Sequence, residues 1–91
     1  MLYIVSYDIK SEVRLKKVAN ICLDYGFRVQ YSVFLMDLDE KYRNTFISEV
    51  KNVISLSEDK IIMIPICNGC RKSIFTLGHD SALEIPDAVI I

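Results

Sequence analysis

Residues 27 to 38 read FRVQYSVFLMDL, and the fold of the chain depends on whether they make one strand or two. Phe27, Val29, Tyr31, Val33 and Leu35 alternate with Arg28, Gln30 and Ser32, a period of two that runs on to about Leu38. Twelve residues are long beside a usual strand of about five or six. A tight turn near Gln30 to Ser32 therefore divides the run into two strands, although no Gly or Asn marks that turn.

Outward from this stretch the pattern alternates between strand and helix. Residues 2 to 8, LYIVSYD, are rich in β-branched and aromatic types and offer apolar side chains to both faces, as a central strand does. From Ser11, a good N-cap, Leu15, Val18, Cys22 and Tyr25 recur at helical spacing, and Gly26 stands where a helix C-cap belongs. Beyond the central run, Asp39 caps a second helix with Phe46, Val50, Val53 and Ile54 as its buried stripe and Glu49 and Lys51 left for solvent. Lys60 to Ile66 is a last apolar strand. The order is βαββαβ, the split βαβ motif, which predicts an α+β, ferredoxin-like sandwich. Its final strand lies at the sheet edge, where Pro65 is better tolerated than in a central strand. A single domain is expected over residues 1–91, with a core over about 1–78 and a tail over about 79–91. That tail holds Pro86 and ends on Val89, Ile90 and Ile91, an apolar terminus that needs somewhere to dock.

A chain of 91 residues has room for one core. With 52% hydrophobic and 25% charged residues it belongs with globular domains and outside the disordered class. A net charge of -1 and a pI near 5.7 provide no global electrostatic case for nucleic acid, so such a role must rest on a local patch. No apolar run approaches the roughly 18 to 20 residues of a membrane span, and no charged region follows Met1 as in a signal peptide. The expectation is a cytoplasmic protein with no membrane contact. Three cysteines, an odd number, then point to free thiols in a reducing compartment.

A ferredoxin-like sandwich carries both helices on one face, yet these strands are apolar on both. Ile61 and Met63 point one way and Ile62, Ile64 and Ile66 the other, so the uncovered face exposes apolar surface unless a second copy covers it. A two-fold homodimer is the simplest cover.

Chemistry-bearing residues are few. His79 has no local nucleophile or carboxylate partner, and neither a Gly-rich phosphate loop nor a Ser/His/Asp arrangement is legible. Cys67-Asn-Gly-Cys70 has C-x-x-C spacing but lacks the paired second half of a zinc site, with only His79 and Asp80 following. Structural thiols are the first reading, a shared inter-subunit metal or a redox pair the second. Lys10, Arg14, Lys16, Lys17, Arg28, Arg71 and Lys72 are basic. On charge alone they are solvated surface; the sharper reading is a phosphate-binding rim beside Asp8. Asp8 itself ends the first strand, where a carboxylate commonly bonds backbone amides of the next turn.

Four segments shift that balance: Tyr7-Asp8-Ile9, Arg14 with the basic start of its helix, Tyr25-Gly26 followed by Arg28-Val29-Gln30-Tyr31-Ser32-Val33-Phe34, and Lys60-Ile61-Ile62-Met63-Ile64-Pro65. Together they closely resemble the small CRISPR-associated endonuclease family, the second of the two adaptation proteins. The resemblance implies a ferredoxin-like homodimer that acts with the CRISPR integrase in spacer acquisition. It is either a metal-dependent endonuclease on single-stranded RNA or duplex DNA, or a non-catalytic DNA-binding scaffold bridging integrase dimers. It also implies that Asp8 lies at the dimer interface and holds Mg2+ or another divalent cation. Asp8, Arg14 and Arg28 are then the expected catalytic residues, and Tyr7, Arg14, Lys16, Lys17, Arg28, Ser32 and Phe34 the expected nucleic-acid contacts. The tail strand Val89 to Ile91 is expected to pair with the partner subunit. Two symmetry-related Asp8 carboxylates would share one ion, which takes one or two carboxylates plus substrate phosphate. Strand parity then places Leu2, Ile4 and Ser6 toward the partner and Tyr3, Val5 and Tyr7 against the helices.

Overall fold

Strand β1, Leu2–Asp8, is one of the two inner strands of a four-stranded sheet in the computed structural model, which describes residues 1–78 and the strand residues 89–90. It is followed by α1 (Glu12–Tyr25), β2 (Phe27–Gln30), β3 (Val33–Asp37), α2 (Glu40–Lys51) and β4 (Lys60–Ile66). The spatial order is β2-β3-β1-β4, with each neighbouring pair antiparallel. This is the ferredoxin-like arrangement, with β4 and Pro65 at one edge.

The central run does divide in two, at Tyr31 and Ser32. Register explains how a turn without Gly or Asn is made. Phe27 faces Leu35 and Arg28 faces Phe34, but Gln30 faces Val33, so the extra residue, Val29, is absorbed as an irregularity in the ladder. Ser32 contributes its carbonyl to the Tyr7 amide at 3.2 Å, which ties the turn to β1.

Alternation along β1 sorts the side chains as its parity predicts. Tyr3, Val5 and Tyr7 join Phe34, Met36 and Leu38 in a core closed by Val18 and Cys22 of α1 and Phe46 and Val50 of α2. Leu2 lies on the other face with Leu35 and Ile66, and Ile4, Val29 and Ile74 pack beside them. Among the described residues, neither α1 nor α2 contributes to that second cluster. Ile62 and Ile64 on β4 remain 41% and 50% exposed.

Both helix starts form as their sequences predict: the Ser11 hydroxyl accepts from the Arg14 amide and Asp39 Oδ1 from the Tyr42 amide at 2.8 Å. The end of α2 differs from the sequence reading. The helix stops at Lys51, because Val53 N–H turns back to the Val50 carbonyl at 3.0 Å, and Val53 and Ile54 reach the core from the turn that follows. Gly26 does cap α1, yet its φ of -168° is ordinary extended backbone. Glycine is needed there for space: a Cβ would fall on the Leu35 carbonyl oxygen and 2.6 Å from Met36 Cγ.

After β4 the chain makes a one-turn helix α3 (Asn68–Arg71) and the short strand β5 (Phe75–Thr76). Strand β6 (Val89–Ile90) pairs parallel with β5 of its own chain. Its expected pairing with a partner subunit concerns a second copy, and Ile91 lies outside the described residues. Among the described residues no helix is long and apolar enough to cross a membrane.

Candidate functional site

Asp8 is exposed at the C-terminal end of β1, with the parity of Leu2 and Ile4 and opposite Lys60 in the ladder. Sequence reading finds no cation directly beside it. The fold supplies one from two residues on: Lys10 Nζ lies 3.3 Å from Oδ1 and 3.1 Å from Oδ2. Both groups are largely solvated, so the pair is weak, and the ammonium occupies the place any cation would take between the two oxygens.

Arg14 points elsewhere. Its Nε donates to Asp59 Oδ2 at 2.7 Å, its Nη2 to Asp59 Oδ1 at 3.1 Å and to Glu58 Oε2 at 3.3 Å. Asp59 has a side chain with 0% exposure and also accepts from the amides of Lys10 (2.9 Å) and Ser55 (2.8 Å). Hydrogen bonding from Arg14, reinforced by those two amides against the cost of burial, holds the Asp59 carboxyl well below the usual carboxylate range. This four-donor carboxylate clamps the β1–α1 turn to the start of β4. Sequence reading passed over Asp59. The signal lies in the antiparallel β1–β4 pairing, which sets the residue before β4 beside the turn after β1.

Arg28 forms a third group, on the helix side of the sheet. Its guanidinium carbon lies 5.2 Å from the Phe34 ring centroid and 5.9 Å from that of Tyr31. Tyr7 stacks on Phe34 at 6.1 Å, and its hydroxyl donates to the Tyr31 carbonyl at 3.4 Å. Tyr7, Arg28 and Tyr31 line a cleft of about 350 Å³ with Glu12, Leu15, Lys16 and Ala19 of α1. Tyr31 is 76% exposed, whereas Phe34 is fully buried and touches the cleft only as the floor under Arg28. Ser32 lies in the adjoining turn, and Lys17 is exposed on α1 outside the cleft lining.

The structure thus brings Tyr7, Lys16, Arg28 and Phe34 together, with Tyr31 as a member that sequence reading left out of the site. It does not bring Asp8 to Arg28 within one chain, since strand parity sets them on opposite faces of the sheet. Nor does Arg14 meet Asp8. Among the described residues no group of three or more His, Cys, Asp or Glu stands close enough to hold a metal ion. A metal centre built on Asp8 therefore needs further donors, from a second copy, substrate or water.

Cys67 and Cys70 are both exposed, and Cys67 caps α3, its Sγ accepting the Cys70 amide at 3.4 Å. His79 and Asp80, the other residues weighed for a metal there, lie outside the described residues.

These features define a ferredoxin-like protein with an apolar sheet face that neither α1 nor α2 covers and an exposed carboxylate ending an inner strand. The family model described as CRISPR associated protein Cas2 matches residues 1–74, and the chain belongs to that family. It is 30% identical to CRISPR-associated endoribonuclease Cas2 3 of Synechocystis sp., over 99% of this chain and 98% of that protein. It is 37% identical to CRISPR-associated endonuclease Cas2 2 of Thermus thermophilus, over 71% of this chain and 72% of that protein. The crystal structure of Streptococcus pyogenes Cas2 superposes with a TM-score of 0.76 at 30% identity, covering 86% of this chain and 100% of that one.

Proposed function

We propose that the chain is a homodimeric, metal-dependent endonuclease of CRISPR adaptation, cleaving phosphodiester bonds of RNA or DNA and working with the CRISPR integrase in spacer acquisition. The observation that carries this reading is the place of Asp8: a solvated carboxylate on the parity of the uncovered face, with an ammonium already lying across both oxygens. Relatives named endoribonuclease and endonuclease support the reaction class.

Two copies meeting on the face of Leu2, Leu35 and Ile66 would bury that apolar surface and bring two Asp8 side chains toward one axis. Such a pair suits Mg2+, a hard cation that keeps several waters and takes one or two carboxylates with substrate phosphate. The ion, when bound, supplies Lewis acidity at the scissile phosphate and a water of lowered pKa. Lys10, displaced from Asp8, pairs with a phosphate oxygen instead. Arg14 serves as a positioning residue: through Asp59 it holds the Lys10 amide, and so the turn that presents Asp8 and Lys10. Arg28, Lys16 and Tyr31 grip the nucleic acid at the cleft, where cations meet phosphate and the exposed ring stacks on a base.

A second reading, a DNA-binding scaffold that spaces integrase dimers without cutting, is favoured by one observation. Asp8 already has Lys10 for its counter-ion, and among the described residues it belongs to no cluster of three or more His, Cys, Asp or Glu that could hold a metal. Cleavage of single-stranded RNA and of duplex DNA, with Mg2+ and with chelator, decides between the two. Loss of cleavage in Asp8→Asn with dimerisation intact is expected. Equal cleavage by that variant, or indifference to chelator, overturns the nuclease reading; wild-type spacer acquisition by it supports the scaffold.

A further inference from the structure

The three thiols of this chain occupy two opposite environments. Cys22 is fully buried in the core, and burial pushes its thiol up to about 12, so it is inert. Cys67 and Cys70 lie on the surface, one turn apart, with the Cys70 amide and thiol both directed at the Cys67 sulfur. Gly69 between them has open space around it, its nearest neighbour being Cys67 Sγ at 3.9 Å from where a Cβ would stand, so the turn has room to adjust. Neither cysteine belongs to the Asp8 surface or the Arg28 cleft.

We propose that Cys67 and Cys70 form a reversible dithiol–disulfide site that reacts with small-molecule disulfides such as oxidised glutathione. The Cys67 thiolate attacks one sulfur of the small disulfide, forming a mixed disulfide and expelling one small thiolate, which takes up a proton. Cys70 then gives up its proton to solvent and attacks the Cys67 sulfur, forming the internal bond and releasing the second small thiol. Two protein thiols are oxidised and one small disulfide is reduced to two thiols, so electrons and atoms balance. The two roles follow from the hydrogen bonds: donors from Cys70 favour the Cys67 thiolate and lower its pKa, while the neighbouring sulfur raises that of Cys70. The position gives the bond a consequence. Helix α3 is tied to the sheet by Arg71, which donates to Asp37 at 3.0 Å, and leads directly into β5, the partner of β6. A disulfide here stiffens the joint between the sheet and that C-terminal strand pair.

The test treats reduced, folded protein with oxidised glutathione near neutral pH, alkylates it with and without denaturant, and maps the products by mass spectrometry. An internal Cys67–Cys70 bond is expected, reopened by reduced glutathione, with Cys22 alkylated only after denaturation. Cys70→Ser is expected to stop at a mixed disulfide on Cys67, and Cys67→Ser to react roughly 10-fold more slowly. Cys22 protection reports that each variant is folded, and wild-type closure decides the matter if one is not. Separate glutathionyl groups on both cysteines without closure, equal rates in the two folded variants, or no reaction of the folded wild type overturns the proposal.

Discussion

Arg14 reaches Asp59 across 45 residues of sequence, with Nε 2.7 Å from one carboxylate oxygen and Nη2 3.1 Å from the other. The carboxylate has no exposure and takes two backbone amides besides, so its proton affinity falls well below that of a free aspartate.

A depressed carboxylate stabilises the fold at pH values above its unfolded value of about 3.9, and that contribution is lost only as pH falls through the lower folded value. The wild type is therefore expected to retain this contribution at mildly acidic pH. Asp59→Asn should have a lower thermal midpoint at neutral pH and a flatter acid limb, measured as stability against pH by circular dichroism. Parallel acid limbs for the two proteins would show that Asp59 does not set acid stability.

Gly26→Ala is expected to destabilise by about 1–3 kcal/mol, the usual cost of overpacking, because the obstructing Leu35 oxygen is backbone and cannot swing aside. Gly69→Ala, with only Cys67 Sγ nearby, should fall within about 0.5 kcal/mol of wild type. Urea unfolding of both variants separates a spatial requirement at Gly26 from a general glycine effect.

Ile64 is half exposed on the uncovered face. Ile64→Asp is expected to leave the folded chain intact and to convert the proposed dimer to monomer by sedimentation, since an unpaired carboxylate there would be desolvated on pairing. A dimer that survives this change places the subunit contact on another face.

Arg28 lies over both Phe34 and Tyr31, so its charge and its planarity matter together. Arg28→Ala should weaken nucleic-acid binding and lower the salt dependence by about one counterion, and Arg28→Lys should restore only part of the affinity because an ammonium does not stack. Fluorescence anisotropy across a salt series measures both. An unchanged salt slope in Arg28→Ala would remove Arg28 from the phosphate-binding surface.

Local spacing in the sequence accounts for a good deal of this molecule. The caps Ser11 and Asp39, the division of residues 27 to 38, the edge position of β4 and the two-sided character of β1 all follow from periodicity and residue chemistry over a few positions, and the parity of β1 follows with them. So does the location of Asp8 at a strand end. Tertiary structure alone decided who meets whom. Arg14, a candidate for phosphate by its charge, is gripped by Asp59; Asp8 is met by Lys10; Gly26 is glycine for want of space beside β3, not for its backbone angle. The physical reason is range: helix and strand periods repeat within a handful of residues, whereas Arg14 meets Asp59, and Gly26 the Leu35 carbonyl, only once the sheet has set its strands side by side. Even the Asp8–Lys10 pair, two residues apart, rests on a turn that Asp59 holds from just before β4.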